Sequence, residues 1–178
     1  HTGVANQPTQ PICVVVPCFN EAEGIHHLAE SLARFDEDMG RLYDGASVFV
    51  DDCSTDETHK RLLETFGEDS RCTVLSHSRN LGAAAAILTG LRYSEHEIVC
   101  SIDSDCTYEP RQLLELLPYM QPGVYIVTAS PYHPEGSVLG VPTWRLMLSR
   151  MASLLYRCVL RTNLYCYTSC FRVYRRSS

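Results

Sequence analysis

The sequence contains a single lysine, Lys60, and neither of the common glycine-rich nucleotide loops. Without GxGxxG, a dinucleotide site of the Rossmann type is disfavoured, and without GxxxxGK[ST] so is a P-loop. A nucleotidyltransferase would want a Gly-rich phosphate loop with a downstream lysine, and Lys60 has no such loop before it. No apolar run approaches the roughly 20 residues that span a bilayer. The first ten residues, HTGVANQPTQ, are polar and have no apolar stretch of the kind a secretory signal carries. They are expected to form a disordered arm, residues 1–10. There is no initial Met and the chain stops at RVYRRSS, so it is expected to be a piece of a longer protein. Nine cysteines are present (Cys13, Cys18, Cys53, Cys72, Cys100, Cys106, Cys158, Cys166 and Cys170), yet no two are spaced as CxxC. Spacing gives a zinc site no support. Reduced thiols in a cytoplasmic protein are the expectation.

What is present is the balance of a soluble globular domain. Hydrophobic residues make up 45% and charged residues 20% of 178 positions, which suits one domain. The net charge of −6 is unevenly spread. Residues 136–178 hold seven Arg and no Asp or Glu, so they carry +7 and the remainder carries −13. Chance and one solvated helix face would explain such a split. So would a basic end that meets phosphate and an acidic part that holds a cation. No nucleic-acid partner is expected.

Apolar runs alternate with helical patterns. The runs are 12–17, 46–50, 72–76, 97–102 and 124–129, and they are continuous rather than alternating, as in strands covered on both faces. Residues 21–35 bring Ile25, Leu28, Leu32 and Phe35 to one helix face. Residues 56–66 begin at a capping Asp56 and are expected to bury Leu62, Leu63 and Phe66. Residues 81–94 are rich in small side chains, and residues 110–119 open on Pro110. The order predicts a mainly parallel, doubly wound α/β sheet flanked by helices. In such sheets ligands bind beyond the carboxyl ends of the strands.

Three of those ends carry acid: PCFNE (17–21), DDCSTD (51–56) and DSDC (103–106). If the strands are neighbours, Asn20, Glu21, Asp51, Asp52, Asp103 and Asp105 converge on one rim. Five carboxylates together need a cation or a donor-rich ligand. Asp103 and Asp105 in a turn would suit Mg2+ or Mn2+, which take oxygen ligands and share them with substrate phosphates. A turn capped by Asp is the plainer reading. Asp51 and Asp52 precede their turn and are expected to be free to accept hydrogen bonds from a nucleobase. Arg79 is expected on the same rim, paired with Asp51 or stacked on a base. Residues 144–161 can be drawn as a helix with Arg150, Arg157 and Arg161 beside an apolar arc; it packs on the core or lies at an anionic membrane surface. His26, His27 and His133 show no ligand spacing and are expected at the surface.

PCFNEAEGI, VDDCSTDET, RNLGAAAAILTGL and SIDSDCTYEP, in this order and spacing, resemble the family 2 glycosyltransferases of GT-A fold. ASPYHPEG, WRLMLSR and YTSCFRVYRR further resemble the branch of dolichyl-phosphate mannose synthases and other polyprenyl-phosphate glycosyltransferases. The similarity runs over residues 11–176. It implies a GT-A domain over 11–178, with a nucleotide-sugar half (11–109) and an acceptor half (110–178). Pro17, Asn20 and Glu21 match the family's first nucleotide-binding loop. Asp51 and Asp52 match its acidic pair, and Arg79 and Gly82 the loop after strand three. Asp103 and Asp105 match the DxD motif, which holds a divalent cation on the donor's diphosphate. The reaction implied is inverting transfer of a sugar from a UDP- or GDP-linked donor.

The residues suit that chemistry. Departure of a nucleoside diphosphate builds negative charge that a cation at Asp105, with Asp103 supporting, would neutralise. A hydroxyl acceptor needs a general base, and acidic residues are almost absent from 128–178; a phosphate acceptor needs none. Seven Arg there suit a phosphate acceptor, and the resemblance implies a polyprenyl phosphate, with a glycan as the other acceptor class. Arg145 and Arg172 are the acceptor-side candidates. The chain also departs from the branch: Pro131 stands where the synthases have Arg, Cys166 or Tyr167 where they have Asp, and Thr107 or Tyr108 where Gln is frequent. A catalytically silent nucleotide-sugar-binding or scaffold domain is the alternative these departures favour. A peripheral position on the cytoplasmic face of a membrane would follow from a lipid acceptor.

Overall fold

The computed structural model describes residues 10–39, 43–129 and 170–176. Six strands form one sheet: β1 (Gln10–Cys18), β2 (Tyr43–Asp51), β3 (Cys72–Ser76), β4 (Ile98–Ser101), β5 (Ile126–Thr128) and β6 (Arg172–Arg175). Their spatial order is β3-β2-β1-β4-β6-β5. β1 runs parallel to β2 and β4, and β2 parallel to β3, as the continuous apolar runs required. β6 is antiparallel to both β4 and β5. The helices are α1 (Ile25–Met39), α2 (Thr58–Phe66), α3 (Ala83–Tyr93) and the short α4 (Leu113–Leu116).

Both faces of β1 are covered, which is why Ile12 to Cys18 is buried without a break. Side chains alternate across a strand. Ile12, Val14 and Val16 therefore join Ile25, Leu28, Leu32 and Phe35 of α1 and Leu62 and Phe66 of α2 in one core. Cys13 and Val15 face the other way and pack with Val48, Val50, Ala86 and Val99. Each fully buried aliphatic or aromatic side chain contributes about 1.5–3 kcal/mol. The phenyl rings of Phe49 and Phe66 stack with centroids 4.0 Å apart, which ties α2 to β2. On the second face α3 lies very close to the sheet. A Cβ added at Gly90 would stand 2.3 Å from Val15 Cγ1, so only glycine permits this approach.

Several expectations are corrected. The first strand begins at Gln10, inside the polar arm read over 1–10. Leu63 is 47% exposed rather than buried, because α2 starts at Thr58 and turns that position outward. Residues 110–119 form two short 3-10 turns flanking α4, since prolines at 110 and 118 interrupt the ladder. β6 was not anticipated: it is four residues long and carries three charged or aromatic side chains. Residues 144–161, with Arg145, Arg150, Arg157 and Arg161, lie outside the described residues, as do Pro131, His133, Cys158 and Cys166.

Candidate active site

The chain reverses direction across the sheet between β1 and β4, and a crevice opens at their carboxyl ends. A cavity of about 190 Å³ sits there, lined among others by Pro17, Glu21, Asp52, Asp103 and Asp105. The adjacency of β2, β1 and β4 thus brings the acidic ends onto one rim. After β4 the backbone turns: Cys106 N donates to Asp103 O at 3.2 Å, and Cys106 takes φ 51°. Asp103 is half-buried and Asp105 exposed. Asp105 Oδ1 also accepts from Thr107 N at 2.9 Å. Asn20 and Cys53, in the turns after β1 and β2, are likewise left-handed, at φ 54° and 60°. Three non-glycine residues in this region, one in each turn around the crevice, store strain of about 1–3 kcal/mol apiece.

Asp51 and Asp52 are not free, contrary to expectation. Both are 2% exposed. Asp51 Oδ1 accepts from Ser54 N at 3.2 Å, and Oδ2 from Ser76 Oγ at 3.4 Å. The ring of His59 lies beside it, with Nδ1 at 3.6 Å, and no ion pair with Arg79 forms among the described residues. Asp52 Oδ1 accepts from His77 Nδ1 at 2.7 Å and Leu81 N at 2.9 Å, and Oδ2 from Gly82 N at 2.6 Å. Burial alone would raise the Asp52 carboxyl, but these bonds outweigh it and hold it below the usual range. Gly82 must be glycine here, since its φ of +88° precedes the first turn of α3. Arg79 is exposed and, among the described residues, forms no ion pair.

A second set of bonds joins the first two turns. Asn20 N donates to Ser54 Oγ at 2.9 Å, and Asn20 Oδ1 accepts from Thr55 N at 2.8 Å. Glu21 N donates to Thr58 Oγ1 at 2.8 Å. Asp56 is not the cap expected of it, since Glu57 holds that position; it accepts instead from Thr58 N, two residues on, at 2.9 Å and from Ala22 N at 3.2 Å. The Asn20 side-chain oxygen is therefore spent on the neighbouring turn, which leaves Glu21 to face the cavity.

The electrostatics show a shortage of positive charge. The Asp103 carboxyl is raised above the usual range, chiefly by burial and also by Asp105. Glu21 is raised by burial, then by Asp105 and Asp56. The Cys170 thiol is pushed up to about 12 by burial and by Asp103, to which it hydrogen-bonds. Cys170 precedes β6, whose Arg172 pairs in register with Ser101, two residues before Asp103. Arg172 does not itself line the cavity. Nor do Arg175 and Arg176: Arg175 bonds Met120 O at 2.7 Å and pairs with Glu97, and Arg176 bonds Ser94 O. Two of the seven C-terminal arginines are structural. Sequence reading missed Phe19, 44% exposed on the cavity wall, and His77 and Cys170, whose partners are distant in sequence.

The chain has relatives among known proteins. The model of the glycosyl transferase family 2 matches residues 13–178. The chain belongs to that family. A polyprenol monophosphomannose synthase of Mycolicibacterium smegmatis is 28% identical over 178 residues, covering 96% of this chain and 63% of the relative. A mannosyltransferase from Pyrobaculum calidifontis, solved with GDP-Man and Mn2+, is 27% identical with a TM-score of 0.56, covering 71% of this chain and 38% of that one. A mannosyl-3-phosphoglycerate synthase from Rubrobacter xylanophilus, 20% identical, shares the fold with a TM-score of 0.67 over 93% of this chain and 53% of that one. The chain spans less than two thirds of the length of these relatives. Within the family 2 domain the described cysteines, seven in number, are all free thiols. No helix among the described residues is long and apolar enough to cross a membrane. His26 and His27 are exposed, as expected.

Proposed function

We propose that this family 2 glycosyltransferase domain moves a sugar from a nucleoside-diphosphate donor to a phosphate acceptor, with inversion and with a divalent cation. The observation that carries the reading is the crevice between β1 and β4, where Glu21, Asp103 and Asp105 face one cavity with their carboxyls raised or exposed. The donor set is oxygen only, which fits Mg2+ or Mn2+. Among the described residues no three His, Cys, Asp or Glu side chains form a complete cage. Asp105 and Asp103 would hold the cation, and its remaining oxygens would come from the diphosphate. When bound, the cation supplies charge neutralisation to the departing diphosphate. The Mn2+ and GDP-Man bound by the Pyrobaculum mannosyltransferase support this reading.

The residues of the chain divide the rest of the work. Pro17 and Glu21 shape the donor side of the crevice, and Asn20 holds that turn through Thr55. Asp51 and Asp52 fix the wall beside the base, and Gly82 and Arg79 close the loop after β3. Arg172 and Arg145 are the side chains proposed to meet an anionic acceptor. An acceptor already ionised needs no general base. A polyprenyl phosphate is the acceptor class proposed, in keeping with the polyprenol monophosphomannose synthase. Work on such an acceptor would place the domain peripherally at the cytoplasmic face of a membrane.

Calorimetric titration of UDP and GDP, with and without Mn2+, tests the site. One nucleotide should bind at least tenfold more tightly with Mn2+, a gain of about 1.4 kcal/mol. Asp105→Ala should abolish the Mn2+-dependent part. Equal binding with and without metal, or an Asp105→Ala protein that keeps the metal effect, would remove the basis of the proposal.

A further inference from the structure

We infer that His77 and Thr89 form a positioning relay that sets the donor-side loop through Asp52. The inference rests on the crevice being the donor site. His77 leaves β3 and is almost enclosed, with its side chain 10% exposed and that of Asp52 3%. Its Nδ1 lies 2.7 Å from Asp52 Oδ1 and its Nε2 2.9 Å from Thr89 Oγ1 on α3. A carboxylate can only accept, so Nδ1 carries a proton, and Nε2 bonds the Thr89 hydroxyl, which can donate or accept as the ring requires. The ring therefore bridges β2 to α3 in one orientation.

The relay's consequence falls on the loop. With one rotamer fixed by His77, Asp52 presents Oδ1 to Leu81 N and Oδ2 to Gly82 N. Those two amides set the path of residues 79–82 and the first turn of α3, where Ala83 lines the same cavity as Asp103 and Asp105. The approach of α3 that brings Thr89 within reach of the ring is the one that Gly90 permits against Val15. Neither His77 nor Thr89 lines the cavity, so both act through Asp52.

Hydrogen exchange and nucleotide titration on His77→Gln, Thr89→Val and Thr89→Ser proteins test the relay. Thr89→Val and His77→Gln should speed exchange of the Leu81 and Gly82 amides at least tenfold and weaken Mn2+-dependent nucleotide binding by about tenfold. Thr89→Ser, which keeps the hydroxyl, should restore both. Should His77→Gln fail to fold, the two Thr89 variants decide the matter. Unchanged exchange at 81–82 would overturn the relay. Faster exchange with wild-type nucleotide affinity would reduce it to a stabilising contact and overturn the positioning role. The exchange measurement needs no ligand. If the unaltered domain binds no nucleotide, the donor-site reading fails and the positioning role with it, while the exchange result still reports on the bridge.

Discussion

Replacing Asp52 by Asn keeps the shape of the side chain and removes half of its bonding capacity. Oδ1 receives His77 Nδ1 and Leu81 N, and Oδ2 receives Gly82 N at 2.6 Å. With the amide oxygen in the Oδ1 place, the NH2 group faces the Gly82 N–H, donor against donor. One buried N–H is then left unsatisfied, at a cost of about 1–3 kcal/mol. The two surviving bonds lose their charge, which removes roughly another 1 kcal/mol each. Relief of carboxylate desolvation returns about 1 kcal/mol. The net loss is about 3 kcal/mol, read from urea unfolding midpoints at pH 7. The pH dependence has a definite sign. The folded carboxyl is held below its ordinary value, so its contribution is present above the unfolded pKa of about 3.9 and fades as the folded value is crossed on acidification. The gap between the two proteins should therefore narrow below about pH 4. A loss under about 1 kcal/mol at pH 7, or a gap that stays constant on acidification, would show that these bonds do not hold the loop.

Three further outcomes follow from the packing. Gly90→Ala gains helix preference of about 1 kcal/mol but drives a methyl to 2.3 Å from Val15 Cγ1, so thermal unfolding should show a net loss of about 1–2 kcal/mol and never a gain. Asp56→Ala frees the Ala22 and Thr58 amides, and should cost about 2 kcal/mol in denaturant while raising exchange at residues 20–22. Leu62→Ala should cost about 2–5 kcal/mol and Leu63→Ala under about 0.5, because one is fully buried and the other is 47% exposed; similar losses in the two would mean that α2 is rotated from the orientation described.

Ionic interactions on the helices contribute little beside these. The pairs of Lys60 with Glu57 and Glu64 are exposed at both ends, and such pairs are worth about 0–1 kcal/mol. The stability of the site's frame comes from bonds between turns that the sequence separates by 34 to 37 residues.

The α/β order and the parallel core were legible because they are written locally. A strand buried on both faces must be apolar at every position, and Ile12 to Cys18 is so in sequence and in space. That acidic residues follow β1, β2 and β4 was visible for the same reason, and the strand order β2-β1-β4 brings those ends together. The division of labour among the acids was not legible. Asp51 and Asp52 are adjacent and chemically identical, and nothing local says that Asp52 is saturated by His77, Leu81 and Gly82 while Glu21 faces the crevice. Nor does local pattern single out Arg175 among the C-terminal arginines, although its guanidinium is spent on Met120 O and Val124 O. Sequence alone set the four parallel strands and the three longer helices, because periodicity and continuous burial are properties of short stretches, whereas β6 is a strand only through its pairing with β4 and β5. Tertiary structure alone decided which carboxylates are tied up and which remain to meet a ligand, because a buried acid's state depends on donors that only folding brings within 3 Å.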